Sequence, residues 1–204
     1  MAEITRLESG RLTVTVFLDD GKSLKIRKKD AALPCVQPGN EIDFDELTGR
    51  ICASQLAEGY EAALSLLDYC ARTEKTLRDK LRAKGYLEPV LDAVTERLRA
   101  ARLLDDGMIA ESIVSGMISS GKGLYAMKQK LRAKGISEED SEAALAAVSD
   151  ESQTEGCTET AKKLYRKYAA LDRRQAKQKL SQALARRGFG WDSIETALSR
   201  IFDE

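Results

Sequence analysis

The chain has 204 residues, of which 43% are hydrophobic, 32% charged and 5% aromatic, enough apolar matter for packed cores but too few rings for thick ones. Lys plus Arg equal Asp plus Glu at 33 each, so no net field draws the whole molecule to nucleic acid or to an anionic membrane, and any electrostatic function must rest on uneven distribution. Histidine is absent, which removes Ser-His-Asp and Cys-His catalysis and imidazole metal ligands; Cys35, Cys52, Cys70 and Cys157 form no CxxC pair, so no metal and no cofactor are expected, and the four read as free thiols in a reducing compartment.

The first residues, MAEITRLESGR, carry no apolar leader, and no later run approaches the ~18 apolar residues of a membrane span, which predicts a cytoplasmic protein with no membrane partner. Residues Arg11 to Arg27 alternate apolar and polar on both sides of Asp20-Gly21, the pattern of a β-hairpin. Ile4 to Leu7 adds a strand, Pro38-Gly39 marks a turn, and Asp43 caps a helix beginning FDEL. A small β-hairpin domain is expected over residues 1–52. Dense basic residues at its edge, Lys25 to Lys29, oppose pairing with another chain, and a monomer is expected.

The hexapeptide KLRAKG occurs at Lys80–Gly85 and again at Lys130–Gly135. Aligning Gly85, Gly135 and Gly188 yields three copies of one unit of about fifty residues. In each, a leucine stands four residues before the glycine (Leu81, Leu131, Leu184), and the glycine suits the left-handed position that ends a helix. A cap then restarts the chain: Glu88-Pro89, Ser137 with Asp140, and Asp192 with Glu195. Six and thirteen residues past the glycine come Leu91 and Leu98, Ser141 and Val148, Ile194 and Ile201, so only Ser141 interrupts the apolar stripe.

The first helix of each copy reads as Tyr60 to Cys70, Asp106 to Ser119 and Thr160 to Ala170, and Asp172 caps the second helix of the third copy. Between copies two and three, SDESQTEGCTE reads as a polar, acidic linker with hinge motion. The fold class is therefore mainly α: three tandem three-helix, helix-turn-helix-like repeats over 53–104, 105–150 and 151–204, in an elongated array after the β-hairpin domain.

Gly116 to Gly123 spells GxxxxGK, but a phosphate-binding loop needs Ser or Thr where Gly123 stands and a buried strand before it, whereas the preceding residues have helical spacing. The stretch reads as a helix end and a glycine turn. Asp105-Asp106 reads as a helix N-terminus rather than a carboxylate pair for catalysis or metal.

Charge is distributed by element. The second helices are basic: Arg78, Lys80, Arg82 and Lys84 in repeat 1, and Lys128, Lys130, Arg132 and Lys134, preceded by Lys122, in repeat 2. Within repeat 3, the span from Lys162 to Arg187 carries Lys162, Lys163, Arg166, Lys167, Arg173, Arg174, Lys177, Lys179, Arg186 and Arg187 against Asp172 alone. These cations are the candidate binding residues, and stacked repeats would present them periodically to an acidic or polyanionic partner. The third helix of repeat 2 begins with Glu138, Glu139 and Asp140, which phosphates would repel, so reading of bases through a recognition helix is disfavoured.

Leu103 to Ile136, LLDDGMIAESIVSGMISSGKGLYAMKQKLRAKGI, resembles the central signature of the bacterial RecX regulatory family, modulators of the RecA recombinase: a Leu-Asp-Asp start, Ala110 four residues after the second Asp, a glycine turn and a closing Leu-x-x-Lys-Gly-Ile. Arg72-Thr73 with Leu77, Lys80, Leu81, Lys84 and Gly85 is similar to the preceding family segment, and the LDDG hairpin to the leader of longer members. The resemblance implies three tandem three-helix repeats and a noncatalytic regulator. Such a protein binds the RecA filament on single-stranded DNA and inhibits ATP hydrolysis, strand exchange and filament growth. The chain departs from the family at Met108-Ile109, Gly116-Met117 and Ala126, each of which removes a usual cation from repeat 2. The alternative is a general DNA-binding or architectural protein that holds single- or double-stranded DNA through its basic helical faces.

Overall fold

The structure, a computed structural model, describes residues 1–203 and divides into two compact units, Met1–Asp105 and the residues from Asp106 onward. In the first unit, β1 (Ala2–Ser9), β2 (Thr13–Leu18), β3 (Ser23–Arg27) and β4 (Glu41–Ile42) form an antiparallel sheet in the order β3-β2-β1-β4. The hairpin turns where expected. Gly21 takes the positive φ of +83° at the end of a three-residue loop closed by the Leu18 amide on the Lys22 carbonyl at 3.0 Å, and the Asp20 carboxylate accepts from the Lys22 amide at 2.9 Å.

The sheet's inner face, Ile4, Val16, Leu18 and Ile26, packs in one continuous core with Leu47 and Ile51 of α1 (Phe44–Tyr69), Leu77 and Leu81 of α2 (Glu74–Ala83), and Leu91 and Leu98 of α3 (Glu88–Ala100). Burying each such Leu or Ile contributes about 1.5–3 kcal/mol. Asp43 caps α1 by accepting from the Asp45 and Glu46 amides. The helix that starts at FDEL and the one expected from Tyr60 are a single element of 26 residues. Its middle hides its periodicity because an inward position is Gln55, fully buried and fully used: Nε2 donates to Asp30 Oδ2 at 2.6 Å and to the Gly85 carbonyl at 3.3 Å, and Oε1 accepts from the Leu87 amide at 3.0 Å. Gln55 thus ties the sheet's end and the glycine turn of repeat 1 to α1.

The second unit contains α4 (Asp106–Ser119), α5 (Leu124–Lys134) and α6 (Glu138–Leu145), then α7 (Asp150–Tyr165), α8 (Arg173–Ala185) and α9 (Trp191–Phe202). Each triplet has its own core, around Ala110, Val114, Met127, Leu131 and Ile136, and around Cys157, Ala161, Leu180, Leu184, Ile194 and Leu198. Gly85, Gly135 and Gly188 have φ of +91°, +74° and +85°, the left-handed helix ends that the repeat alignment requires. Ser137 and Asp172 cap α6 and α8 as expected, whereas α9 begins one residue before Asp192, with Gly190 at the cap position.

The expected linker over residues 149–159 is a correction. It is helix, capped by Ser149, and α7 ends at Tyr165 rather than at Ala170. Its inward face is Gln153, Cys157, Thr158, Thr160 and Ala161, which has helical spacing but small and polar side chains, so hydropathy alone did not mark it.

Repeats 2 and 3 are joined backbone to backbone. The Gly123 amide donates to the Arg187 carbonyl at 2.9 Å and the Tyr125 amide to the Gly188 carbonyl at 3.0 Å. Gln153 of α7 accepts the Leu124 amide at 2.8 Å, and the Arg187 guanidinium donates to the Ser120 and Gly121 carbonyls at 3.3 Å each. No side chain fits between these strands of backbone. A Cβ on Gly123 would stand 2.3 Å from the Gly188 oxygen, and one on Gly188 would stand 2.4 Å from the Ala126 nitrogen.

Candidate partner-binding surface

The second helices of repeats 1 and 2 each bury a pair of apolar residues, and that of repeat 3 buries Ala176, Leu180, Ala183 and Leu184. In repeat 1, Leu77 and Leu81 are fully buried, which places Arg78 and Arg82 on the side facing the start of α3. There they are consumed internally. Arg78 reaches Glu88 at 2.9 Å and Asp92 at 2.7 Å, and Arg82 reaches Glu88 at 2.5 Å and Asp79 at 2.8 Å. The Arg82 guanidinium, opposed by burial and helped by Arg78, holds the Glu88 carboxyl below its ordinary 4.5. Only Lys80 and Lys84 of the four remain exposed without an ion pair among the described residues.

In repeat 2, Met127 and Leu131 form the buried pair. Lys128, Lys130 and Arg132 are exposed and make no ion pair among the described residues, while Lys122 and Lys134 are half-buried. A cleft of about 500 Å3 opens between α5 and α6, lined by Lys128, Arg132, Ile136, Glu138, Ser141, Glu142 and Leu145. Ser141 is the residue that interrupts the repeat's apolar stripe.

In repeat 3 the ten candidate cations sort into two groups. Lys162 pairs with Glu159 at 3.6 Å; Arg173 donates to the Phe202 carbonyl at 2.5 Å and to Asp203 at 2.7 Å, fastening the start of α8 to the end of α9; Arg186 donates to the Gln182 carbonyl of its own helix; and Arg187 belongs to the joint. Lys163, Arg166, Lys167, Arg174, Lys177 and Lys179 are exposed without an ion pair among the described residues. A carboxylate ten residues after Arg78 was the available signal for the first internal cluster. Nothing local in the sequence marks Arg187 as a clamp.

Two exposed aromatic rings add to the surface. Tyr125, 68% exposed, is the second residue of α5, and Trp191, 67% exposed, begins α9; a Cβ on Gly190, just before Trp191, would touch the Tyr125 ring at 3.8 Å.

The stretch that spells GxxxxGK has no phosphate-loop geometry. Gly116 is exposed within α4, Gly121 turns the chain at φ +62°, and Gly123 is the joint. Among the described residues no three Cys, Asp or Glu side chains cluster as a metal site would require, and no helix is long and apolar enough to cross a membrane.

Models of the first, second and third three-helix domains of RecX match residues 60–98, 105–145 and 151–198. The regulatory protein RecX of Limosilactobacillus reuteri (strain DSM 20016) is 31% identical over 192 residues, covering 93% of this chain and 73% of that protein. The one from Clostridioides difficile (strain 630) is 28% identical over 210 residues, covering 100% and 99%. Among solved structures, a crystal structure of regulatory protein RecX superposes with a TM-score of 0.65 at 29% identity over the whole of both chains. That of RecX from Lactobacillus salivarius superposes with a TM-score of 0.66 at 33% identity over 73% of this chain.

Proposed function

The chain belongs to the RecX family, and from that premise we propose that it is a noncatalytic regulator of the RecA recombinase that binds the RecA filament on single-stranded DNA and lowers its ATP hydrolysis, strand exchange and growth. The observation that carries this reading is the match of all three repeats, in order, to a regulatory family. It acts in the cytoplasm, as a monomer, through exposed cations such as Lys128, Lys130 and Arg132, which make no ion pair among the described residues.

The deciding experiment is RecA's single-stranded-DNA-dependent ATP hydrolysis with this protein titrated well below the RecA concentration. Inhibition at substoichiometric amounts supports action on the filament. An effect that begins only when the protein equals the DNA sites moves the second reading ahead. That reading, direct DNA binding, is favoured by Lys163, Arg166, Lys167, Arg174, Lys177 and Lys179, which make no ion pair among the described residues. It requires affinity for DNA alone that falls steeply with salt, by a slope close to the number of phosphates engaged.

Charge reversal at Lys128, Lys130 and Arg132, exposed and without an ion pair among the described residues, is expected to weaken filament retention at least tenfold with an unchanged melting temperature. Reversal at Arg173, Arg174 and Lys177 weakens it too, with some loss of stability, because Arg173 holds the end of α9. Unchanged retention in both variants would make these faces ordinary solvated surface.

A further inference from the structure

Repeats 1 and 2 carry the same four charge positions at the same spacing: Arg78, Arg82, Glu88 and Asp92 correspond to Lys128, Arg132, Glu138 and Glu142, each fifty residues on. In repeat 1 the four are closed into one ion-pair cluster, and Leu91, three residues after Glu88, is fully buried. In repeat 2 none of the four makes an ion pair among the described residues, although Arg132 and Glu138 are the same residue types that meet at 2.5 Å in repeat 1. They instead face one another across the cleft of about 500 Å3, with Ile136, Ser141 and Leu145 between them. The position that Leu91 fills in repeat 1 holds the short Ser141 here, which leaves the floor open.

We propose that the α5–α6 cleft of repeat 2 is a docking site for a partner-protein segment that presents an apolar side chain between a carboxylate and a cation. The volume falls within the roughly 300–1,000 Å3 of pockets that enclose a ligand group. The α5 wall offers Lys128 and Arg132 to the carboxylate; the α6 wall offers Glu138 and Glu142 to the cation; Ile136 and Leu145 meet the apolar side chain. A nucleic acid does not fit, since phosphates at Lys128 and Arg132 would lie across the cleft from two carboxylates. The apolar side chain supplies what Leu91 supplies in repeat 1, and its flanking charges replace ion pairs that repeat 2 does not make with itself. The inference rests on the function proposed above in taking RecA as the protein that offers the segment.

Two measurements test it separately. The first titrates a short blocked peptide, Glu-Leu-Leu-Lys, into the full chain and follows backbone amide signals. Saturable shifts centred on Ile136, Ser141 and Leu145 are expected, lost in Ser141→Leu, which installs the side chain of repeat 1, and weakened about fivefold or more in Lys128→Ala/Arg132→Ala, an exposed pair whose loss leaves the core intact. No saturable shift, or equal binding by both variants, overturns the site. The second measures retention on RecA filaments. Ser141→Leu is expected to lower it roughly tenfold with binding to free DNA unchanged, and an unaffected Ser141→Leu overturns RecA as the source of the segment. If the unaltered chain is not retained at all, the proposed function falls, and the peptide titration still decides the cleft.

Discussion

A methyl group at Gly123 would stand 2.3 Å from the Gly188 oxygen, so Gly123→Ala must part the two segments and break the amide bonds from Gly123 and Tyr125 to Arg187 and Gly188. Each buried donor left unsatisfied costs about 1–3 kcal/mol, and a total loss of about 2–5 kcal/mol is expected, read as a lower melting temperature. Gly116→Ala is the control: it lies in α4 with nothing within 4 Å of the added carbon and should stabilise by about 0.5–1 kcal/mol. Cys157 gives a pH test. Burial pushes its thiol from 9.0 up to about 12, so the folded state holds the neutral form while the unfolded chain ionises earlier. The resulting stability is whole below pH 9 and is lost as pH rises towards 12, about 4 kcal/mol at most. Alkaline denaturation should start later in Cys157→Ala than a matched fall in starting stability alone allows, and a disulfide exchange reagent should modify exposed Cys70 long before Cys157.

At the scale of elements, α4 was legible to the residue because Asp106 opens it and its apolar residues keep helical spacing. The three left-handed glycines were legible for a similar reason: an exact hexapeptide repeat fixed their register, and a helix end is one of the few places where glycine has no substitute. What failed was reading α7, and the middle of α1, from hydropathy. Gln153 and Gln55 face inward and are satisfied by backbone amides from other elements, at Leu124 and Leu87, and those partners lie about thirty residues away. The fates of the cations were hidden likewise, since whether Arg78 is spent on Glu88 or free for a partner depends on side-chain geometry across two helices. The helical reading of α7 predicts that a glutamate-specific protease under native conditions leaves Glu151, Glu155 and Glu159 uncut at early times, whereas Glu155→Pro, which removes an interior bond and costs about 3 kcal/mol or more, exposes all three.

For the molecule as a whole, equal numbers of cations and anions conceal an asymmetry that only the fold reveals. In repeat 1 the α3 carboxylates Glu88 and Asp92 pair with Arg78 and Arg82 of α2, while Lys128, Lys130 and Arg132 of repeat 2 and Lys163, Arg174 and Lys177 of repeat 3 make no ion pair among the described residues. Raising salt from about 50 to 200 mM should therefore weaken any contact made by repeats 2 and 3, with little effect on thermal stability of the chain, because the ion pairs it would screen are largely exposed and each is worth about 1 kcal/mol or less. The joint has a further consequence during synthesis. Ser120 and the amides that follow it leave the ribosome well before their partners at Arg187 and Gly188, since Arg187 is translated 67 residues after Ser120. The second unit can therefore close only after Gly188 has been made, and a nascent chain paused after repeat 2 holds an uncapped α5 that stays open to chaperones and proteases until α8 and the turn after it have emerged.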